Sequence, residues 1–174
     1  MNTEPKKKPA WVKFINWISE ISGYLGGISI FLATLIIVYQ VFVRFVLGKP
    51  TIWQTELSVY LLMFATFIGA SYGLKHGSHV GVDVIVEKLS PRGKSAIRIV
   101  TSFLSILLTI VLSWKAWALW WHVTEQGWTS SSLWAPPLTF PYFILPLGMT
   151  LLSLQFLAIL YEEASHFKNN GASS

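Results

Sequence analysis

The sequence predicts an all-α integral membrane protein with four transmembrane helices, both termini cytoplasmic, preceded by an N-terminal amphipathic interfacial helix. Three observations lead there. Of 174 residues, 53% are hydrophobic and only 12% charged, about half the charged share of a soluble domain. The charged residues are spaced so that long uncharged runs separate them. Nine tryptophans suit a chain that crosses two membrane–water interfaces repeatedly.

Each uncharged run is measured against the roughly 20 apolar residues that cross a hydrocarbon core about 30 Å thick. Ile21 to Val43 is ample, and Leu57 to Leu74 lies near the lower limit. Ile99 to Trp114 is short, but apolar sequence resumes after Lys115 as far as Trp121, and a lysine near a helix end snorkels to the interface. Thr139 to Tyr161 carries Pro141, Pro146 and Gly148, residue types tolerated more readily in membrane helices than in soluble ones. The resulting organisation is a basic segment with an interfacial helix over 1–20, a membrane domain over 21–161 with spans at about 21–43, 57–74, 99–121 and 139–161, and a cytoplasmic tail over 162–174. A soluble bundle would show polar stripes, whereas Ile28 to Val38 is broken only by Ser29 and Thr34. The first span is too long for a signal-peptide apolar region and no small-residue cleavage site follows it, so the N-terminus is expected to be retained.

Orientation follows from the bases. Lys6, Lys7, Lys8 and Lys13 precede span one; Lys75, Lys88, Arg92, Lys94 and Arg98 lie between spans two and three; Lys168 follows span four. Only Arg44, Lys49 and Lys115 fall on the other side. The positive-inside rule therefore puts both termini in the cytoplasm. The net charge of +5 reads as topology, and nucleic acid is not expected as a partner.

Outside the spans, Trp11, Phe14, Ile15 and Ile18 recur at helical spacing beside Lys13. With Lys6, Lys7 and Lys8 upstream, this reads as a helix lying in the cytoplasmic interface near anionic lipid; the alternative is a plain extension of span one. Ser90-Pro91 is a helix-start pair for span three. In the cytoplasmic loop before it, Val82, Ile85, Val86 and Leu89 are spaced as one apolar face of a short helix. Trp114, Trp117 and Trp121 share a helical face at the outer interface, where they read as a lipid belt. Gly127, Ser130 to Ser132 and Pro136-Pro137 read as a turn back to the membrane.

Chemistry-bearing patterns are scarce. There are no cysteines, which excludes disulfides and thiolate sites. No acid lies well inside a span: Glu20, Glu56 and Glu162 sit at edges, leaving Gln40 and Gln155 as the notable polar groups within. His76, His79, His122 and His166 are peripheral, where a haem between helices would want paired histidines at bundle depth. The one Gly-x-Ser-x-Gly match, Gly69 to Gly73, falls inside the apolar run Leu57 to Leu74 rather than at the strand-to-helix turn of a nucleophile elbow, and no His-Glu-x-x-His helix or phosphate-binding glycine loop occurs. The expectation is a non-enzyme with no cofactor or metal of its own.

The order Arg44-Phe-Val-Leu-Gly-Lys-Pro-Thr-Ile-Trp53-Gln-Thr-Glu56-Leu, then Phe67-Ile-Gly69-Ala70-Ser71, then His79-Val-Gly-Val-Asp83, and later Leu145-Pro146-Leu147-Gly148, resembles the DctQ family, the small membrane subunit of tripartite ATP-independent periplasmic (TRAP) transporters. The likeness runs from about Tyr24 to Leu160. It implies a bacterial inner-membrane complex in which a periplasmic substrate-binding protein delivers an organic acid, commonly a C4-dicarboxylate or sialic acid, to a large permease subunit that couples transport to sodium. On this resemblance the small subunit is a scaffold, in agreement with spans that carry no interior charge.

On that reading Arg44 and Glu56 flank the outer turn between spans one and two. They either join in a charge-assisted hydrogen bond or merely mark where the helices leave the lipid, with Trp53 as an interface anchor. Gly69 and Ala70 permit close helix approach within the subunit or to the permease. His79 and Asp83 share a face if their segment is helical. Two rival classes remain, a membrane anchor of a redox enzyme and a stand-alone small exporter; the missing intramembrane acid counts against the second.

Overall fold

The structure is a computed structural model and describes residues 9–77 and 91–171. Among the described residues four helices account for nearly everything: α1 (Ala10–Phe45), α2 (Gln54–Lys75), α3 (Pro91–Glu125) and α4 (Thr139–Gly171). Each contains a stretch long and apolar enough to cross a membrane. The helices outrun the spans read from the sequence. α1, α3 and α4 have 36, 35 and 33 residues, about 50 Å or more at 1.5 Å per residue, while α2 has 22.

Two expectations change at the ends. Residues 10–20 continue α1 without a break, so the alternative of a plain extension describes this backbone, and among the described residues no separate interfacial helix precedes the span. Nothing there interrupts the ladder: Ala10 to Glu20 contains neither proline nor glycine, the residues that stop a helix most effectively. The segment expected as a tail likewise continues α4 to Gly171. Lys6, Lys7, Lys8, His79, Asp83 and the apolar set Val82 to Leu89 lie outside the described residues.

The helices pack in the lateral order α1, α2, α4, α3. α2 lies between α1 and α4, α3 packs on α4 alone among the described residues, and α1 reaches α4 only lightly. Glu20 of α1 meets Lys75 of α2 at one end, and Gln40 meets Thr55 near the other. Each step up α1 is therefore matched by a step down α2. Trp11 and Tyr161 are in edge contact, with ring centroids 5.1 Å apart, so the first turns of α1 and the late turns of α4 share this termini end.

What lines these contacts inverts the rule of a soluble bundle. The buried positions of α1 are Val12, Ser19, Ser22, Gly26, Ser29, Ala33 and Val43, spaced by threes, fours and a seven from Val12 to Ala33. In α3, Ser102, Ile106, Thr109, Ala116 and Val123 are buried at similar spacing. The large apolar side chains Ile28, Phe31 and Val38 of α1 and Leu104, Leu108 and Val111 of α3 are exposed. Lipid is as apolar as leucine, so no hydrophobic force pulls large side chains inward; small residues win the seam because they let backbones approach and pair their hydroxyls. Hydroxyls with no cross-helix partner turn back onto their own helix, as Ser58 does to the Gln54 carbonyl and Ser153 to that of Met149, both at 2.8 Å. Among the described residues only the Thr124 hydroxyl is buried without a hydrogen-bond partner.

Left-handed glycines follow α1, α2 and α3. Gly48 (φ +61°) and Gly127 (φ +60°) occupy the left-handed region just past α1 and α3, where a side chain is disfavoured. Trp128 N–H donates back to the Val123 carbonyl at 3.2 Å and Lys49 N–H to that of Val43 at 3.2 Å, satisfying carbonyls the helix ends leave open.

Candidate functional site

Three polar or close-packed clusters hold the four helices in register, and the sequence-derived candidates distribute among them. At the hairpin end, opposite the termini, Glu56 sits in the first turn of α2. The structure does not pair it with Arg44. One carboxylate oxygen accepts the Ser132 hydroxyl at 2.5 Å and the other accepts the Tyr60 phenol in a short bond. Arg44, in the last turn of α1, is exposed. The α1–α2 turn is closed instead by Gln40 Nε2 donating to Thr55 Oγ1 at 2.7 Å, and by Ile52 N–H donating to Gln54 Oε1 at 3.0 Å. The physical reason is one of reach. The α3–α4 loop folds over the start of α2 and brings hydroxyls directly onto the carboxylate.

That loop is itself built by short-range bonds. Ser130 N–H donates to the Pro136 carbonyl at 3.0 Å, Leu138 N–H to that of Trp128 at 2.9 Å, and Ala135 N–H to that of Ser132 at 3.1 Å. Ala135 takes φ +45°, a left-handed conformation that costs roughly 1 kcal/mol in a residue with a Cβ. The loop thus turns the chain back as expected, while its serines also tie the α3–α4 pair to α2. Trp53 is the N-cap position of α2 and remains partly exposed.

Near the termini end a polar network crosses three helices. Gln155 of α4, fully buried, accepts the Ser19 hydroxyl at 2.7 Å and donates to Asn16 Oδ1 at 3.0 Å. Ser22 and Ser71 pair at 2.9 Å. Lys75 Nζ donates to the Asn16 carbonyl at 2.9 Å and to Glu20 at 2.5 Å, and His76 Nε2 lies 3.4 Å from the same carboxylate. Gln155 stood out in the sequence; Ser19 and Ser22 did not, and Ser71 entered only as the end of the Phe67 to Ser71 element. The signal that finds them is their place in the three-and-four seam of small residues rather than polarity alone.

The third cluster is steric. A Cβ on Gly148 would lie 2.6 Å from the Phe67 carbonyl oxygen and 2.7 Å from its carbonyl carbon, so α4 crosses α2 backbone to backbone there. Pro146, buried inside α4, precedes this crossing, and its carbonyl accepts the Thr150 hydroxyl at 2.7 Å. Gly69 is in the α1–α2 contact, its Cα 3.6 Å from where a Cβ on Gly26 would sit. A Cβ on Gly69 itself would meet nothing within 4 Å. Ala70 beside it is half-buried.

The tryptophan belt divides. Trp114 and Trp121 project outward at 76% and 64% exposure. Trp117 turns toward α4, donating Nε1–H to Thr150 Oγ1 at 3.2 Å and packing edge-on against Phe143. Trp120 joins the same contact through the Thr139 carbonyl at 3.0 Å. Two of the three predicted belt residues therefore face outward and one fastens α3 to α4. Among the described residues no three His, Asp or Glu side chains gather as a metal site. The clusters join helices; none assembles a nucleophile with a base.

A family model for the DctQ component of tripartite ATP-independent periplasmic transporters matches residues 33–166. The chain is 26% identical to a C4-dicarboxylate TRAP transporter small permease protein of Vibrio cholerae, over 84% of this chain and 75% of that one. It is 27% identical to an ectoine TRAP transporter small permease protein of Halomonas elongata, over 80% and 72% of the respective chains. Similarity to a sialic acid TRAP transporter small permease protein of Vibrio cholerae is 26%, over 56% of this chain and 54% of that one.

Proposed function

Because the chain belongs to the DctQ family of TRAP transporter small permease subunits, we propose that it is the static scaffold of a bacterial inner-membrane importer, holding a large permease subunit that carries the substrate and sodium sites. A periplasmic binding protein supplies the substrate, an organic acid of the C4-dicarboxylate or sialic acid class. A relative belongs to an ectoine transporter, a third substrate beside those two classes, and specificity on this reading resides in the other two components.

One observation carries the scaffold role. No acidic or basic residue lies between Ile21 and Val43, Leu57 and Leu74, Ile99 and Trp114, or Thr139 and Tyr161, and the interior polar groups Ser19, Ser22, Ser71 and Gln155 are spent on one another. An ion or substrate path through a membrane needs polar groups free to exchange partners. Here they are committed to fixing helices, as a rigid support requires.

The test is reconstitution. This chain co-expressed with a large permease is expected to purify with it and to be required for sodium-driven uptake in liposomes supplied with the binding protein. Substrate flux by this chain alone would overturn the reading. A Soret band in the purified chain would favour the redox-anchor alternative.

A further inference from the structure

The continuity of α1 gives its first three turns a surface that the helix packing does not use. Phe14 and Trp17 are 60% and 59% exposed, and their rings stack with centroids 6.2 Å apart. Lys13 is exposed beside them. Trp11, by contrast, turns toward Tyr161 of α4 and belongs partly to the helix packing. We propose that Phe14, Trp17 and Lys13 form a binding surface for anionic phospholipid of the cytoplasmic leaflet, presented by the shaft of the first membrane helix rather than by a separate helix lying on the surface.

Depth places the surface. The Glu20–Lys75 ion pair ends the stretch over which α1 and α2 run side by side, and from Glu20 to Gln40 that stretch measures about 30 Å at 1.5 Å per residue, the thickness of a hydrocarbon core. Trp17 then lies about 4.5 Å and Phe14 about 9 Å beyond that pair along the axis. The headgroup layer adds roughly 5–7 Å on each side. Trp17 therefore sits at headgroup level, where aromatic side chains are favoured because one end meets acyl carbon and the other meets water, and Phe14 stacks on it from the layer's outer edge.

Charge selects the lipid. Lys13 is one residue from Phe14, and Lys6, Lys7 and Lys8 immediately precede the helix in sequence, with Glu4 the sole acid before Glu20. Glu20 itself is engaged by Lys75. Lys13 beside the aromatic rings, with three further lysines upstream in the sequence, complements an anionic leaflet, and each lysine near such a surface strengthens attraction by about fivefold. This inference stands on membrane residence and the positive-inside orientation, and it holds or fails independently of the transporter role.

The absence of cysteine from the chain allows a direct test. The full chain carrying Trp17→Cys is labelled with bimane and reconstituted in vesicles of phosphatidylglycerol and phosphatidylcholine, with bromine on the acyl chains of one lipid or the other. Lys49→Cys, exposed and outside the helices at the opposite end, is the aqueous reference. The label at position 17 is expected to be quenched more by brominated phosphatidylglycerol than by brominated phosphatidylcholine, and about fivefold less by aqueous iodide than the label at position 49. Adding Lys13→Gln should lower the phosphatidylglycerol preference by roughly fivefold. Equal iodide quenching at both positions would place the face in water and overturn the proposal. Equal quenching by the two brominated lipids would remove the anionic preference and overturn it too. Shielding from both lipid and iodide would assign the face to a protein contact instead.

Discussion

Replacing Gly148 by alanine should push α2 and α4 apart, and the same change at Gly27 should not. A Cβ at position 148 would arrive 2.6 Å from the Phe67 carbonyl oxygen, where ordinary contact begins at 3.4 Å, so about 0.8 Å must be recovered. The obstructing atoms include backbone, which cannot rotate away as a side-chain tip can. Overpacking of this kind costs about 1–3 kcal/mol, against a gain of up to about 1 kcal/mol from replacing glycine by alanine in a helix. The net expectation for Gly148→Ala is a loss of up to about 2 kcal/mol. At Gly27 a Cβ meets nothing within 4 Å, so Gly27→Ala should be neutral or stabilising by up to about 1 kcal/mol. Unfolding of the purified chain in mild detergent, titrated with denaturing surfactant, measures both midpoints. Should Gly148→Ala prove as stable as Gly27→Ala, the backbone crossing does not exist as described.

Gly69→Ala should leave the isolated chain at or above wild-type stability, because its Cβ direction is open; weaker co-purification with the large permease would then place Gly69 against that partner. Gln155→Leu should cost about 1 kcal/mol, since it removes two interhelical hydrogen bonds worth about 0.6 kcal/mol each in a membrane, and its effect should overlap with that of Ser19→Ala in a double-mutant cycle read by the same unfolding titration. Glu56→Gln and Ser132→Ala should each speed protease cleavage within residues 128–134, with little further gain in the double variant, whereas Arg44→Gln should leave cleavage unchanged. Equal sensitivity to Arg44→Gln would restore the Arg44–Glu56 pairing that the structure replaces.

The sequence alone determined that four helices cross a membrane. Span length depends only on how many consecutive apolar residues a hydrocarbon core demands, and charges at the edges of Ile21–Val43 or Thr139–Tyr161 mark the limits without knowledge of neighbours. The family was legible for a related reason: its elements are short, ordered along one chain, and survive as residue types. Partner choice was not legible. The sequence left open whether Glu56 pairs with Arg44 or both only mark helix ends, and the carboxylate is taken by Ser132, a residue remote in sequence, because only packing of α4 against α2 carries the outer loop over it. Trp117 shared a helical face with Trp114 and Trp121, and the position of α4 alone turned it into an interhelical bond. Ser19, Ser22 and Ser71 were unremarkable polar breaks until the helices met. In lipid the large apolar residues are indifferent to which neighbour they face, so the small residues and their hydroxyls decide the order α1, α2, α4, α3, and that decision exists only in the tertiary structure.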